Sequence, residues 1–506
     1  MRLLFLFTWA LAVSIYAEKV QKPSSILLIT DEKLTADWQK FADWKTSLGK
    51  PVKIISVKTI ETSYKGKDTQ EKIRLCVLDH AENHSVKWVI LGGDSEENGK
   101  GLVPDRDTLH TVMGRLKYKD IPTDIYYISD KNWDANGDGI YGDWPNDKES
   151  ISYSNKWGTS IGRIPVRTSE DVKAYTEKII AYESKYPETD FAKKIIYTNT
   201  VVHSQPKVTK SWDNYLSKSW ENGEGIRFFH TITPWDKEKE GDYPLSPENW
   251  QKMINEQTGG KMHMHGHGLI NGWVLEKHQM AKAFSVDQLT NKNAYLTMTT
   301  VSCFTGHFDS KKDPSISESM LRAPERGAVL IISPAREGVP IFHSPNDFKL
   351  MVSEGKLDGT TETMTRFWMD SLSKTDGKYL TAGEAFYKTK QTIGKEAMKT
   401  AGYHWCQSEL NLLGDPSIYL RADKPVTPKL ELPKQLEAGS ETTLKIKSGK
   451  AGSVLCLWQK DSIYEVYNCD GQGNFSVTLS TLKTGTVKVT LSGPDLNAVS
   501  TEISIQ

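Results

Sequence analysis

The chain has little cysteine, five residues in 506. That excludes a disulfide scaffold, in which closely spaced cysteines stand in for a hydrophobic core. An excess of charge of either sign is also missing, because 64 Lys and Arg offset 64 Asp and Glu. With no long basic run either, a nucleic-acid partner held mainly by phosphate contacts is excluded. Past the first 16 residues no apolar stretch approaches the ~18 residues a membrane span requires, so no stable span is expected. There is no internal repeat and no low-complexity tract. At 38% apolar and 25% charged residues the chain reads as ordinary globular protein, not as disorder. Its length suits three or four domains of about 150 residues each.

What is present begins with a targeting segment. Arg2 supplies the positive start, Leu3 to Tyr16 is a nearly unbroken apolar run, and the small Ala17 precedes the polar pair Glu18-Lys19. The run is too short to span a bilayer comfortably, which predicts a signal peptide over residues 1–17 and an exported protein. No Cys follows the leader, so no lipid anchor is expected there.

From Ser24 to about Tyr186 strand and helix patterns alternate. Ile26–Ile29 is a compact apolar strand. Leu34, Trp38, Phe41, Trp44 and Leu48 then recur at helical spacing, with Gly49 closing the helix. Val52–Val57 and Val86–Leu91 read as further strands on either side of a helix around Cys76. Thr168 with Asp171 makes a capping box for a helix striped by Val172, Tyr175, Ile179 and Tyr182. This is βαβ wiring and predicts an α/β subdomain over 18–187 built on a parallel sheet.

A second α/β unit is expected over 188–424. Its strands are Lys194–Val202, Ile226–His230, Met262–His265, Leu296–Cys303 and Ala328–Ser333, with helices between them. Past Lys424-Pro425-Val426-Thr427-Pro428 the chain alternates at period two between Gly-rich turns, which predicts an all-β immunoglobulin-like sandwich over 425–506. In that region Cys456 and Cys469 can pair across two strands. Cys76 and Cys406 read as core, which leaves Cys303 as the cysteine in need of a reason.

The densest chemical signal is Lys261-Met262-His263-Met264-His265-Gly266-His267-Gly268. On a strand, His263, His265 and His267 would share one face. Two readings compete. The histidines can converge on zinc, with His278 and His307 as the nearby additional ligands. Alternatively one functional His ends the strand where glycines let the backbone approach a substrate. The second signal is Leu296–Gly306, a buried β run ending in Cys303 before a loop. Ligands of open parallel sheets bind beyond the carboxyl ends of strands. A Cys there, with a His at the end of a neighbouring strand, is the arrangement a thiol nucleophile needs, since the imidazole takes its proton and returns it to the leaving amine. The backbone N–H groups of Gly268 and Cys303 are candidate oxyanion donors. Trp273 is a candidate cleft wall or an ordinary core residue.

A third signal, Asp134-Ala135-Asn136-Gly137-Asp138-Gly139-Ile140-Tyr141-Gly142-Asp143, alternates oxygen ligands with glycines. Asp134, Asn136, Asp138, the Ile140 carbonyl and Asp143 are positioned to wrap a structural Ca²⁺, although the twelfth position holds Pro145 where an EF-hand has Glu. A solvated acidic turn is the competing reading.

These motifs resemble those of the gingipain-type cysteine peptidases. Gly266-His267-Gly268 followed by Trp273 is similar to that family's His motif, and Val301-Ser302-Cys303 with Gly306 and Phe308 to its nucleophile motif. Glu318–Ala323, Gly327–Val329, Pro122–Tyr127, Gly162–Val166 and Leu413–Ser417 extend the resemblance over roughly residues 24–420. It implies a caspase-like fold of two subdomains followed by an immunoglobulin-like module, peptide-bond hydrolysis by Cys303 and His267, a protein or peptide substrate, and a bacterial source with a periplasmic, secreted or cell-surface location.

The sequence departs from the pattern in two places. Family members place an acid where this chain has Val202-His203, so no third catalytic residue is assigned. Members that cut after Arg or Lys hold an acid in the primary pocket, whereas Pro206-Lys207-Val208-Thr209-Lys210-Ser211 carries two lysines and no carboxylate. The expectation is a cysteine endopeptidase that is not Arg/Lys-specific. The rivals are a degenerate peptidase fold used as a secreted binding or surface-assembly module, and a zinc hydrolase.

Overall fold

Along the strand Ser25–Thr30, Ile26 and Leu28 enter one apolar cluster while Leu27 and Ile29 enter another. A strand buried on both faces is what a parallel sheet covered by helices requires. The computed structural model describes residues 17–506 apart from 97–99, 113–115, 201–223, 231–242, 245, 275–284, 312–313, 339–358, 376–377, 400 and 480–482.

Among the described residues the main sheet has eleven strands. In spatial order they are Tyr243–Pro244, Glu224–His230, Lys194–Thr200, Lys261–His265, Leu296–Thr300, Ala328–Pro334, Leu410–Gly414, Ser160–Ile164, Val86–Gly92, Ser25–Thr30 and Val52–Ser56. Every neighbouring pair is parallel except Ala328–Pro334 against Leu410–Gly414. That single antiparallel junction makes the two parallel halves run in opposite directions. The carboxyl ends of Lys261–His265, Leu296–Thr300 and Ala328–Pro334 therefore share one edge with the start of Leu410–Gly414. His267, Cys303, Arg336 and Glu409 all come to that edge from different parts of the chain.

The helices follow the sequence logic. Thr168 and Asp171 form the reciprocal capping box that opens Ser169–Ser184, and Ser315 with Glu318 forms a second one opening Ile316–Arg322. Among the described residues no helix is long and apolar enough to cross a membrane.

The C-terminal residues form a six-stranded sheet ordered Glu18–Lys19, Ile463–Asn468, Val454–Gln459, Gly485–Ser492, Val499–Ile505, Gln435–Leu436. A separate pair, Thr442–Lys447 with Asn474–Leu479, shares its apolar cluster. Residues near the start of the chain thus supply an edge strand, with Glu18 opposite Asn468 and the Val20 N–H donating to the Val466 carbonyl at 2.8 Å. The pairing anticipated between Cys456 and Cys469 is not made, and both thiols are free. Cys456 lies opposite Val466 and turns its Sγ toward the Thr46 carbonyl at 3.5 Å. Cys469 lies beyond the strand end and faces the Lys450 carbonyl. Where this module meets the α/β unit, buried Lys45 bridges Glu183 at 2.7 Å and Asp415 at 2.6 Å.

Candidate active site

The strand Lys261–His265 buries Met262 and Met264 in the larger core cluster, which turns His263 to the opposite face. There His263 Nδ1 meets Thr299 Oγ1 at 2.7 Å, and Thr299 Oγ1 also accepts the Trp368 indole N–H at 2.8 Å. Burial holds the His263 pKa well below the usual histidine range, with His265 a further lowering influence. His263 and His265 share a face of the strand, their rings 6.5 Å apart, but the strand ends at His265, so His267 does not join them. His267 lies past the strand end and is exposed. The zinc reading loses its basis: among the described residues no three His, Cys, Asp or Glu side chains converge on a metal position. His278 lies outside the described residues.

The His267 backbone is held by its neighbours. Its carbonyl accepts the Val274 N–H at 3.1 Å, and Gly268 pairs with Trp273 in a short antiparallel bridge. Trp273 is 1% exposed, its ring 5.3 Å from Trp250 and its indole N–H donating to Thr300 Oγ1 at 3.2 Å. The expected cleft wall is therefore a buried brace beneath the His267–Gly268 backbone, because the bridge folds it inward.

The strand preceding the nucleophile motif stops at Thr300, three residues short of Cys303. The turn that follows is tied at several points. The Ser302 N–H donates to Thr300 Oγ1 at 3.1 Å and Thr305 Oγ1 donates to the Ser302 carbonyl at 2.7 Å. Phe304 has φ +59°, a left-handed conformation that non-glycine residues rarely adopt. Its N–H donates to the Arg336 carbonyl at 2.7 Å, and the Gly306 N–H to the Pro334 carbonyl at 2.9 Å. The turn also touches the histidine loop directly. A Cβ placed on Gly268 would lie 2.5 Å from the Cys303 carbonyl oxygen and 2.8 Å from Ser302 Cβ. Only glycine permits that approach.

Cys303 is half-buried. Burial raises its thiol pKa, and the charges of Glu409 and Glu337 push the same way, while the Gly338 N–H and its own N–H oppose them. Glu409 is wholly buried, with the Arg336 N–H and the Trp405 indole N–H facing its carboxyl group. Desolvation first, then Glu337, holds Glu409 well above the ordinary carboxylate range. Sequence reasoning missed Arg336, Glu337, Gly338 and Glu409. The carboxyl-end rule that selected Cys303 also selects the residues after Ala328–Pro334, so three of the four were within its reach.

The acidic loop lies in another part of the molecule, against Lys67 and the residues around His404. Asp134 is buried, with Oδ2 3.1 Å from Lys67 Nζ and Oδ1 unpartnered. Asp138 accepts the Ile140 N–H at 2.8 Å, and Asn136 Oδ1 accepts the Asp138 N–H at 3.0 Å. Asp143 Oδ2 accepts from the Asn146 amide at 2.8 Å. Asp147, absent from the expected ligand set, closes the loop by accepting the Ala135 N–H at 2.7 Å and the Asp143 N–H at 3.0 Å. The donor set suits a hard cation, yet among the described residues no three His, Cys, Asp or Glu side chains converge to hold one.

The stretches where the sequence departs from the gingipain pattern, Val202-His203 and Pro206–Ser211, lie outside the described residues. The model of peptidase family C25 matches residues 19–421. Among solved structures, the chain is similar to the Arg-specific cysteine proteinase gingipain R, with a TM-score of 0.69 and 18% identity over 97% of this chain and 100% of that one. A complex of the pro- and mature domains of RgpB from Porphyromonas gingivalis gives a TM-score of 0.67 and 17% identity over 96% of this chain and 100% of that chain. A further protease structure gives 0.68 and 15% over 96% and 98%. At these identities the likeness is one of fold. No curated protein sequence matches the chain.

Proposed function

The chain belongs to peptidase family C25 and is a cysteine peptidase, and on that premise we propose that Cys303 is its nucleophile and His267 its general base and acid. The observation that carries the assignment is the contact of Gly268 with the Cys303 carbonyl, which brings the residue after His267 against the nucleophile turn. The raised thiol pKa supports a resting neutral Cys303, so attack requires a base. His267 takes the thiol proton as sulfur bonds to the scissile carbonyl carbon. The carbonyl oxygen becomes an oxyanion facing the Gly268 and Cys303 N–H groups. Collapse breaks the C–N bond, and the leaving amine takes the proton back from His267. Water, deprotonated by the same imidazole, then hydrolyses the thioester and regenerates the thiol.

The substrate is protein or peptide, as the family implies. Within that class the chain is an endopeptidase without Arg/Lys specificity, a reading supported by Lys207 and Lys210 and the absence of a carboxylate in 206–211. Residues 1–17 act as a signal peptide, making the enzyme exported to the periplasm, the medium or the cell surface. Residues 18–187 and 188–424 form the two subdomains of a caspase-like catalytic unit, and 425–506 an immunoglobulin-like module, which the two sheets around one apolar cluster support. For Asp134, Asn136, Asp138, Ile140 and Asp143 a structural calcium ion remains the proposal. It rests on oxygen donor chemistry and the unpartnered buried Asp134 Oδ1, and no catalytic step passes through it.

The deciding experiment incubates the chain from Glu18 onward, and its Cys303→Ala variant, with a diverse peptide library read by mass spectrometry. Cleavage by the wild type alone is expected, and the products give the P1 preference. Undiminished cleavage by Cys303→Ala would refute the assignment. Products cut chiefly after Arg or Lys would overturn only the specificity.

A further inference from the structure

We propose that Arg336 is a positioning residue for the nucleophile, acting through the turn that carries Cys303; this rests on the reading of Cys303 as the attacking thiol. Arg336 is 3% exposed and follows the strand Ala328–Pro334 at the edge where the site lies. Its guanidinium grips the far end of the nucleophile turn, with Nη1 donating to Asp309 Oδ1 at 2.9 Å and Nη2 to Asp309 Oδ2 at 2.5 Å. Asp309 is itself 1% exposed. Nη1 also donates to the Ala335 carbonyl at 2.9 Å, and Nη2 to the Asp120 carbonyl on the strand Leu116–Pro122. The main chain of the same residue holds the near end of the turn, its carbonyl accepting the N–H of left-handed Phe304 at 2.7 Å.

One residue thus ties the turn at two points after Cys303, Phe304 and Asp309, and two residues further on the backbone reaches the thiol. The Gly338 N–H faces Sγ, and Gly338 packs so tightly on the Val301 carbonyl that a side chain there would collide with it. The segment 334–338 is therefore a rigid strip whose register against residues 301–309 determines how the Gly338 N–H meets the sulfur. A planar fork with two parallel hydrogen bonds fixes such a register, which a point-charge ammonium does not. Stability alone is a weak account of the pair, since apolar packing often replaces a buried ion pair at no cost. Around the guanidinium lie the carboxylates of Asp309, Asp120 and Asp105, with His307 Nε2 3.3 Å from Asp309 Oδ1 and Asp107 close to Asp309; Glu337 and Glu409 face the thiol.

The test compares Arg336→Lys, which keeps the charge and loses the fork, with Asp309→Asn, which keeps the shape and loses the charge. Three quantities are read on the full chain: thermal stability, kcat and KM on a cleaved peptide, and the pH dependence of Cys303 alkylation by iodoacetamide, followed on the Cys303 peptide by mass spectrometry. Both variants are expected to fold, to lose about tenfold or more in kcat with KM little changed, as a slightly misplaced nucleophile does, and to shift the alkylation profile to higher pH. Wild-type alkylation profiles and kcat in folded variants would overturn the proposal. So would activity losses that merely track the unfolded fraction. Cys303→Ala run alongside separates the two levels: activity there removes the nucleophile assignment itself, whereas a normal Arg336→Lys removes only the positioning role.

Discussion

Gly268 lies against the carbonyl oxygen of Cys303, so closely that a methyl group on its α-carbon would sit 2.5 Å from that oxygen. The contact makes Gly268→Ala a steric probe of the site. The variant keeps the backbone N–H and every titratable group, yet the methyl must push the histidine loop off the nucleophile turn. A displacement of about 1 Å costs on the order of 100-fold in rate. The expected outcome is a loss of that size in kcat/KM with the fold retained, read by peptide hydrolysis beside a thermal melt. Full activity in Gly268→Ala would mean that the two loops need not touch during turnover.

Glu409 makes a pH prediction whose sign can be worked out. Its carboxyl pKa is held well above the ordinary range by burial and by Glu337. Above the ordinary carboxylate pKa the unfolded chain has lost this proton while the native chain keeps it. Unfolding then releases a proton, and native stability falls as pH rises. Glu409→Gln removes that dependence. The difference in melting temperature between Glu409→Gln and wild type should be smallest near pH 4, grow through neutral pH, and favour the variant increasingly at alkaline pH. A constant difference across the pH range would show that Glu409 is ionised in the native state.

Strands of the main sheet were legible because burial on two faces demands apolar runs, as in Ile26–Ile29 and Ala328–Ser333, whereas Met262–His265 alternates Met with His. Cys303 was legible by position, since it follows the buried strand Leu296–Thr300. What escaped was everything set by pairing at long range. The strand Glu18–Lys19 lies opposite Tyr467 and Asn468, and two adjacent charged residues carry no periodic signal of it. The reversal of direction between the halves of the sheet depends on which side of Leu410–Gly414 pairs with Ala328–Pro334. Glu409 reaches Cys303 only through that pairing. Parity held for His263 and His265 and failed only for His267, because the strand ends at His265. Trp273 was read as able to line a cleft or a core, and the bridge to Gly268 decides for the core.

Lys45 tests how the helices Gln39–Ser47 and Ser169–Ser184 are held to the end of the strand Leu410–Gly414. Its ammonium is fully buried between Glu183 and Asp415, which outweigh its desolvation and raise its pKa. Replacing Lys45 by Ala leaves two carboxylates without their shared cation, one of them wholly buried. Breaking a buried pair in this way costs about 3–5 kcal/mol. Urea unfolding of Lys45→Ala should show a loss of that order, and Lys45→Ala with Asp415→Asn should recover part of it. A loss below about 1 kcal/mol would place the pair with exposed ion pairs.

The acidic loop distinguishes two ways of holding the same turn. As described, Asp147 gathers the Ala135 and Asp143 N–H groups, while the exposed Asp138 bonds only to its immediate neighbours. Hydrogen bonding alone therefore makes Asp147 the important residue and Asp138 dispensable. A calcium ion would make Asp138 important, because a hard cation needs several carboxylate oxygens and the buried Asp134 Oδ1 supplies one. Calorimetric titration with calcium is expected to show one site, and calcium at 100 times its Kd to add about 2.7 kcal/mol of stability. Asp138→Ala should abolish that increment and leave the metal-free melting temperature nearly unchanged. Asp147→Ala should lower the melting temperature with or without calcium. If calcium gives neither heat nor stabilisation, the N–H network is the whole of the loop's support, and the alternating oxygens and glycines reflect turn formation: Asn136 and Asp138 each accept an N–H two residues ahead, which is itself a reason for such residues to recur there.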